Sequence, residues 1–279
     1  MDMLVSIVVE LVSKRNVSLP PHLGRANHAA LLRQIGMFDP ALSRRLHDLE
    51  GAKPFTCSSI LGATPRRDEV WVEGGRPYTI RFTGLNAEVS EAIKRCWLET
   101  PPDAWVLDDH LFRVNRVLAD GSDGGWSGQS TYTALVERYL EQPALAAPRL
   151  TFELASTTAF KSDNVTMPLP LPDLVLGSLA NRWQAFSHAP VRVAMRQFAA
   201  QHVAVSWFDL HSQAVDQKNR ALRIGATGRV AYQVLNDDYL LTANILADFA
   251  LYAGVGVQTA AGMGQCRRLA PRTQSGEGG

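Results

Sequence analysis

Two successive runs of strand, helix, two strands, helix and strand, separated by a glycine- and serine-rich stretch, predict an α+β protein of two tandem ferredoxin-like (βαββαβ) domains. The composition supports two cores: 279 residues, 46% of them hydrophobic and 20% charged. The domains are expected over 1–135 and 145–270. A polar, glycine-containing tail, 271–279, is expected to be disordered because it has no apolar residues to bury.

Residues 3 to 13 are rich in valine and isoleucine and read as the first strand. The run follows Asp2 rather than a basic segment, contains Glu10 and is too short to span a bilayer, so neither a signal peptide nor a membrane segment is expected. "LPPHLG" breaks the chain. The next segment places Leu31, Leu32, Ile35 and Phe38 at helical spacing. A second helix starts at "DPAL", with Asp39 as N-cap and Pro40 in the first turn. "FTCSSIL", "EVWVEG" and "PYTIRFTG" read as strands, "NAEVSEAIKRCWLE" as a helix and "HLFRVNRVL" as a strand. The stretch from about 120 to 147 reads as a connection. "RLTFELAST" then opens the second cycle, and the prolines of "MPLPLPD" hold an extended segment. A helix follows with Asp173 as its expected cap, then strands around 203–214 and 220–234. Leu241, Ile245, Phe249 and Tyr252 mark the last helix, and "GMGQCRRL" the closing strand.

Charge and cysteines narrow the functional classes. The 28 basic and 27 acidic residues leave a net charge of +1, so any nucleic-acid surface must be a local patch. Cys57, Cys96 and Cys266 lie far apart, which fits reduced cytoplasmic thiols rather than disulfides or a thiolate zinc site. Neither a metal nor another cofactor is expected.

Near the C-terminus four glycines, Gly254, Gly256, Gly262 and Gly264, fall within eleven residues. Clustered glycine amides can approach an anion closely. The loop follows a helix, whereas Walker and dinucleotide-binding loops open one. Either it is a long turn, or, with Arg267 and Arg268 behind it, it meets a nucleic-acid backbone.

"YAGVGVQTAAGMGQCRR" resembles the glycine-rich signature of the CRISPR-associated endoribonucleases that cut precursor repeat RNA. "LPPHLG…HAALLRQIGMFDPALSRRLHDLEGAKPFTCS", "WSGQSTY" and "LASTTAFKSDNVTMPLPLPDLVLGSLANRWQAF" resemble further segments of that family in the same order. The resemblance implies cleavage without a metal ion. The RNA's own 2′-hydroxyl attacks the scissile phosphate, leaving a 2′,3′-cyclic phosphate and mature guide RNAs. It places the catalytic histidine at His47, beside the stripe of Leu42, Leu46 and Leu49. A lysine that stabilises the pentacovalent phosphate falls at Lys53. Where some members carry a tyrosine on the first helix, this sequence has Leu32; His28, one turn earlier, is either a substitute or a core residue. Arg44 and Arg45 are expected to hold phosphates, with the four glycines and Arg267 and Arg268. Arg223 and Arg229, preceded by Lys218 and Arg220, form either an RNA-facing ribbon or a solvated hairpin. Trp126 and Tyr132 either stack on bases or pack internally.

The resemblance leaves open a non-catalytic RNA-binding subunit of a CRISPR effector complex, and a purely structural protein is the third reading. The expected partner is CRISPR repeat RNA; other effector subunits and a second copy in a homodimer remain open. No membrane partner is expected.

Overall fold

The valine- and isoleucine-rich opening forms β1 (Met3–Ser13) in a computed structural model that describes residues 3–66, 69–162, 164–189, 194–216 and 222–270. After it come β2 (Val17–Leu19), α1 (Gly24–Phe38), α2 (Pro40–Asp48), β3 (Phe55–Cys57), β4 (Thr64–Pro65) and β5 (Val70–Val72). Then follow β6 (Pro77–Gly84), α3 (Ala87–Lys94), β7 (Ala104–Leu107) and β8 (His110–Leu118). The main sheet runs β3-β6-β1-β8-β7, all antiparallel, so β1 is flanked on both sides. Its central position explains its nearly unbroken apolar run, since most of its residues are buried. Asp39 accepts from the Leu42 amide at 2.8 Å, capping α2 as expected, and Asn86 does the same for α3 through Val89 at 2.9 Å. A π-helical turn, Arg95–Glu99, extends α3 and buries Trp97 against Phe82 and Trp105.

The stretch read as a connection has structure of its own. It holds β9 (Gly128–Thr131), which pairs with the first residues of β1, and α4 (Tyr132–Glu141). The glycines of 121–128 hide this helix from a local reading. Its apolar residues Tyr132, Leu135 and Tyr139 lie on one face, and Thr131 caps it by accepting from Ala134 at 2.9 Å.

The second cycle comprises β10 (Arg149–Thr158), β11 (Phe160–Ser162), β12 (Val165–Met167), α5 (Pro172–Phe186), α6 (Met195–His202), β13 (Val203–Asp216), β14 (Leu222–Val234), α7 (Leu240–Ala253) and β15 (Cys266–Leu269). Helix α6 was not apparent in the sequence. Leu171, not Asp173, occupies the N-cap of α5; Asp173 lies in the first turn and pairs with Arg196 at 3.5 Å. The sheet order is β13-β14-β10-β15. Counted within each βαββαβ set, both sheets have the order second, third, first, fourth, so the α+β ferredoxin-like topology is present twice. The tail 271–279, Lys218 and Arg220 lie outside the described residues.

The two sheets are joined through Arg81, a fully buried residue of β6. Its Nε donates to Ser6 Oγ (2.9 Å) and to the Trp126 carbonyl (3.1 Å), Nη1 to Gln265 Oε1 (2.6 Å), and Nη2 to the Leu251 carbonyl. Replacing Arg81 by leucine strands these acceptors without water. The expected loss is about 3 kcal/mol or more in urea unfolding. Arg81→Lys should recover only part of it, because an ammonium cannot span the same fork.

Candidate active site

Helices α1 and α2 form a hairpin whose apolar faces are buried and whose outer faces enclose an open cleft of about 340 Å³. Leu32, Arg33, Ser43, Arg44 and His47 line it. His47 is exposed in the last turn of α2, where the amphipathic spacing turns Leu42 and Leu46 inward. Arg44 shares the cleft. Arg45 points elsewhere and pairs with Glu88 at the start of α3. Arg33, on α1, faces His47 across the cleft and was not singled out from the sequence; with Arg44 it forms no ion pair among the described residues. Its only sequence signal is its position next to Leu32, where the resemblance implies a departure from the family pattern.

Lys53 stands beneath the end of α2. Its Nζ donates to the carbonyls of Leu46 (2.7 Å), His47 (3.1 Å) and Leu49. These are carbonyls that the end of a helix leaves without partners. An ammonium has three hydrogens, and three acceptors take them up. Burial pulls the lysine below its ordinary pKa, against the opposing effect of Asp48. In this arrangement Lys53 holds the turn that carries His47.

His28 is half-buried on α1, against the ring of Phe55 at 5.2 Å. Its Nδ1 lies 2.7 Å from the Ala260 carbonyl. A carbonyl only accepts, so Nδ1 carries the proton in this bond. Burial lowers the pKa of the ring, the hydrogen bond to Ala260 opposes this, and the nearby Lys53 adds to the lowering. The neutral ring therefore keeps its lone pair on Nε2.

The glycine-rich loop runs from the end of α7 to β15 and rests on this hairpin. His22 Nε2 donates to the Ala261 carbonyl at 2.9 Å, next to the His28 contact. A Cβ on Gly24 would lie 2.2 Å from the same Ala261 carbonyl, so only glycine lets α1 start against the loop. The loop glycines serve this close packing. Gly264 has φ +66°, and a Cβ there would meet the Val255 carbonyl at 2.1 Å; a Cβ on Gly256 would meet that of Ala159 at 2.2 Å. Three of the four amides the sequence offered to phosphate are taken up internally. Gly254 donates to Ala250, Gly256 to Ser178 Oγ and Gly264 to Thr157. Gly262 is buried against His22 and Gly24.

The arginines that follow are also engaged. Arg267 pairs with Glu153 at 2.7 Å, donates to the Gly124 carbonyl and lies 4.5 Å over the Trp126 ring. Arg268 bonds to Asp248 (3.0 Å), Tyr139 (2.7 Å) and Asn244 (2.7 Å). Trp126 is held between Arg81 and Arg267, and Tyr132 is buried with its hydroxyl on the Leu85 carbonyl. Arg229 is exposed on β14 and lies 3.3 Å from Glu153; Arg223 is half-buried near the far end of the β13–β14 hairpin.

Residues 152–266, the stretch from β10 to the loop, match the family of the CRISPR-associated endoribonuclease Cas6. Among solved structures, the product complex of the Cas6 TTHB231 superposes with a TM-score of 0.77 at 27% identity, covering 96% of this chain and 100% of its own. The second half of the chain thus matches the Cas6 endoribonuclease family, and the whole chain is similar in fold to a Cas6 structure. Thermus thermophilus Cas6 (TTHB231) matches with a TM-score of 0.71 at 24% identity, over 96% of this chain and 99% of that one. The product complex of a second Cas6, TTHA0078, gives a TM-score of 0.71 at 24% identity over 96% and 100%. No curated protein matches this sequence. These Cas6 structures share the mixed fold along nearly the whole chain.

The packing of the loop gives a direct test. Gly264→Ala forces a side chain onto the Val255 carbonyl at positive φ, and about 2 kcal/mol or more of stability should be lost. Gly51→Asn should cost far less in the same thermal unfolding measurement. Gly51 also has positive φ, +82°, but a Cβ there meets nothing within 4 Å.

Proposed function

We propose that this chain is a Cas6-type, metal-independent endoribonuclease that cuts CRISPR precursor RNA within its repeats. The observation that carries the proposal is the open cleft in which the exposed His47 stands with Arg33 and Arg44, on a helix end held by Lys53 and beside a loop seated on His28. Residues 1–135 would supply the histidines and 145–270 the loop that positions them. The product complexes among the similar structures support RNA cleavage as the activity.

RNA brings its own nucleophile, the 2′-hydroxyl beside the scissile phosphate. Attack forms the bond from the 2′-oxygen to phosphorus and breaks the bond to the 5′-oxygen. The products are a 2′,3′-cyclic phosphate and a 5′-hydroxyl. The protein must align the sugar, move one proton off and one on, and offset charge. In this reading the exposed imidazole of His47 transfers a proton in the cleft. Arg33 and Arg44 face the phosphate charge, and Lys53 fixes the turn beneath His47. His28, neutral with its lone pair on Nε2, is either a second proton acceptor or the clamp that seats the loop. One observation favours a non-catalytic RNA-binding subunit instead: Lys53 and the Nδ1 of His28 are both occupied by protein carbonyls.

Incubation of repeat RNA with the protein in excess EDTA should give one cut per repeat, with a cyclic phosphate resolved by mass spectrometry. A single 2′-deoxy sugar before the cut should abolish cleavage and leave binding nearly intact. Activity that is lost in EDTA and restored by magnesium would overturn the mechanism.

His47→Ala should slow single-turnover cleavage by about 10²-fold or more with little change in RNA affinity. His28→Ala separates its two roles. A rate loss at unchanged thermal stability marks proton transfer, whereas a fall in stability, with the rate following the folded fraction, marks the clamp. A His47→Ala protein that cuts at the wild-type rate would refute the assignment of the cleft.

A further inference from the structure

A second cleft, of about 250 Å³, lies against the glycine-rich loop at Gly256 and Val257. Ala52, β11, α5, α6 and the loop residues Gly256 and Val257 form its walls. Three cations line it: Lys161 on β11, Arg182 on α5 and Arg196 on α6. The carboxylate in the wall, Asp173, is already paired with Arg196. Arg182 is the unusual member. Its Nη1 is buried and has no hydrogen-bond partner, and burial lowers its pKa to about 10, so it is charged at neutral pH. A buried guanidinium donor without an acceptor is costly, and native structures rarely keep one without reason. An anion entering the cleft would supply the missing acceptor, with the exposed ammonium of Lys161 beside it.

The position of this cleft links it to the candidate active site. Ala52 precedes Lys53, whose Nζ holds the end of α2. Gly256 begins the segment that reaches Ala260, the residue bound by His28. A strand whose scissile phosphate sits at His47 and that continues past the 52–53 segment would enter the cleft that Ala52 and Arg182 both line.

We infer that this cleft is a phosphodiester subsite in which Arg182, flanked by Lys161 and Arg196, holds a backbone phosphate of the RNA strand to one side of the cut. The inference rests on the proposed RNA cleavage, and it assigns the cleft an RNA-positioning role separate from proton transfer.

The test is equilibrium binding, by fluorescence anisotropy, of a repeat RNA made uncleavable by a 2′-deoxy sugar at the cut. A second set of RNAs carries a single uncharged methylphosphonate at each flanking position. Wild-type protein should lose about tenfold in affinity for one flanking methylphosphonate. Arg182→Gln should bind the unmodified RNA about tenfold more weakly, be insensitive to that methylphosphonate, and show a salt slope smaller by about 0.7. Lys161→Gln, at an exposed site that tolerates substitution, should shift affinity and slope in the same direction by less. It decides the matter if Arg182→Gln does not fold. Variants that keep wild-type affinity, salt slope and methylphosphonate sensitivity, while the wild type cleaves the repeat, overturn the subsite and leave the proposed function standing. Thermal stabilisation by inorganic phosphate, with no methylphosphonate effect, would make the cleft a free-anion site and equally overturn it. A wild type that neither binds nor cuts repeat RNA overturns the proposed function itself.

Discussion

The buried guanidinium of Arg81 is the constraint on which the rest of the arrangement depends. It has no carboxylate partner in hydrogen-bond contact, and burial brings its pKa down to about 10. Its charge is instead met by a hydroxyl, two carbonyls and the side chain of Gln265. Gln265 in turn donates through Nε2 to the Cys57 carbonyl, and its own amide donates to Ser156 Oγ. One cation and one amide therefore tie β1, β3, β6 and β10 to the segment that follows the glycine-rich loop. Such a network tolerates little displacement, because an acceptor left unpaired in a dry interior loses its solvation without recompense.

With its C-terminal end held at Gln265, the loop has a defined surface to present to α1. Glycine is required there less for motion than for proximity. The backbones of Gly24, Ala261 and Gly262 approach more closely than any Cβ allows. His22 and His28 then take the two successive carbonyls at Ala261 and Ala260. A segment that reads as flexible in one dimension is a packed joint in three, and the ring orientation of His28 follows from it.

The same network decides which cations remain available to a polyanion. Arg267 and Arg268 spend their donors on Glu153, Asp248, Tyr139 and Asn244, and Arg45 pairs with Glu88. Arg33 and Arg44 stay in the open cleft beside His47, and Arg182 and Lys161 line the cleft at Gly256 and Val257. A net charge of +1 conceals this sorting. A strand of RNA meets the local field of the unpaired cations, not the sum over the chain.

By itself the sequence determined the features that depend on near neighbours. The apolar run of 3–13 is a strand, Asp39 caps α2, Leu42 and Leu46 face inward so that His47 faces out, and the glycine cluster falls between the last helix and the last strand. The doubled strand-helix order, too, was legible, since periodicity of two or 3.6 residues is a local property. Helix α4 was hidden because the glycines before it resemble a linker, and α6 because its eight residues carry too little pattern. Tertiary structure alone decided the partners. Arg81 meets Gln265 across 184 positions, and Arg267 meets Glu153 across 114. Nothing in the spacing along the chain records such pairs. They decide whether an arginine is a structural tie or a free charge, whether a glycine amide is open to phosphate, and whether Lys53 faces a substrate or the carbonyls of its own helix.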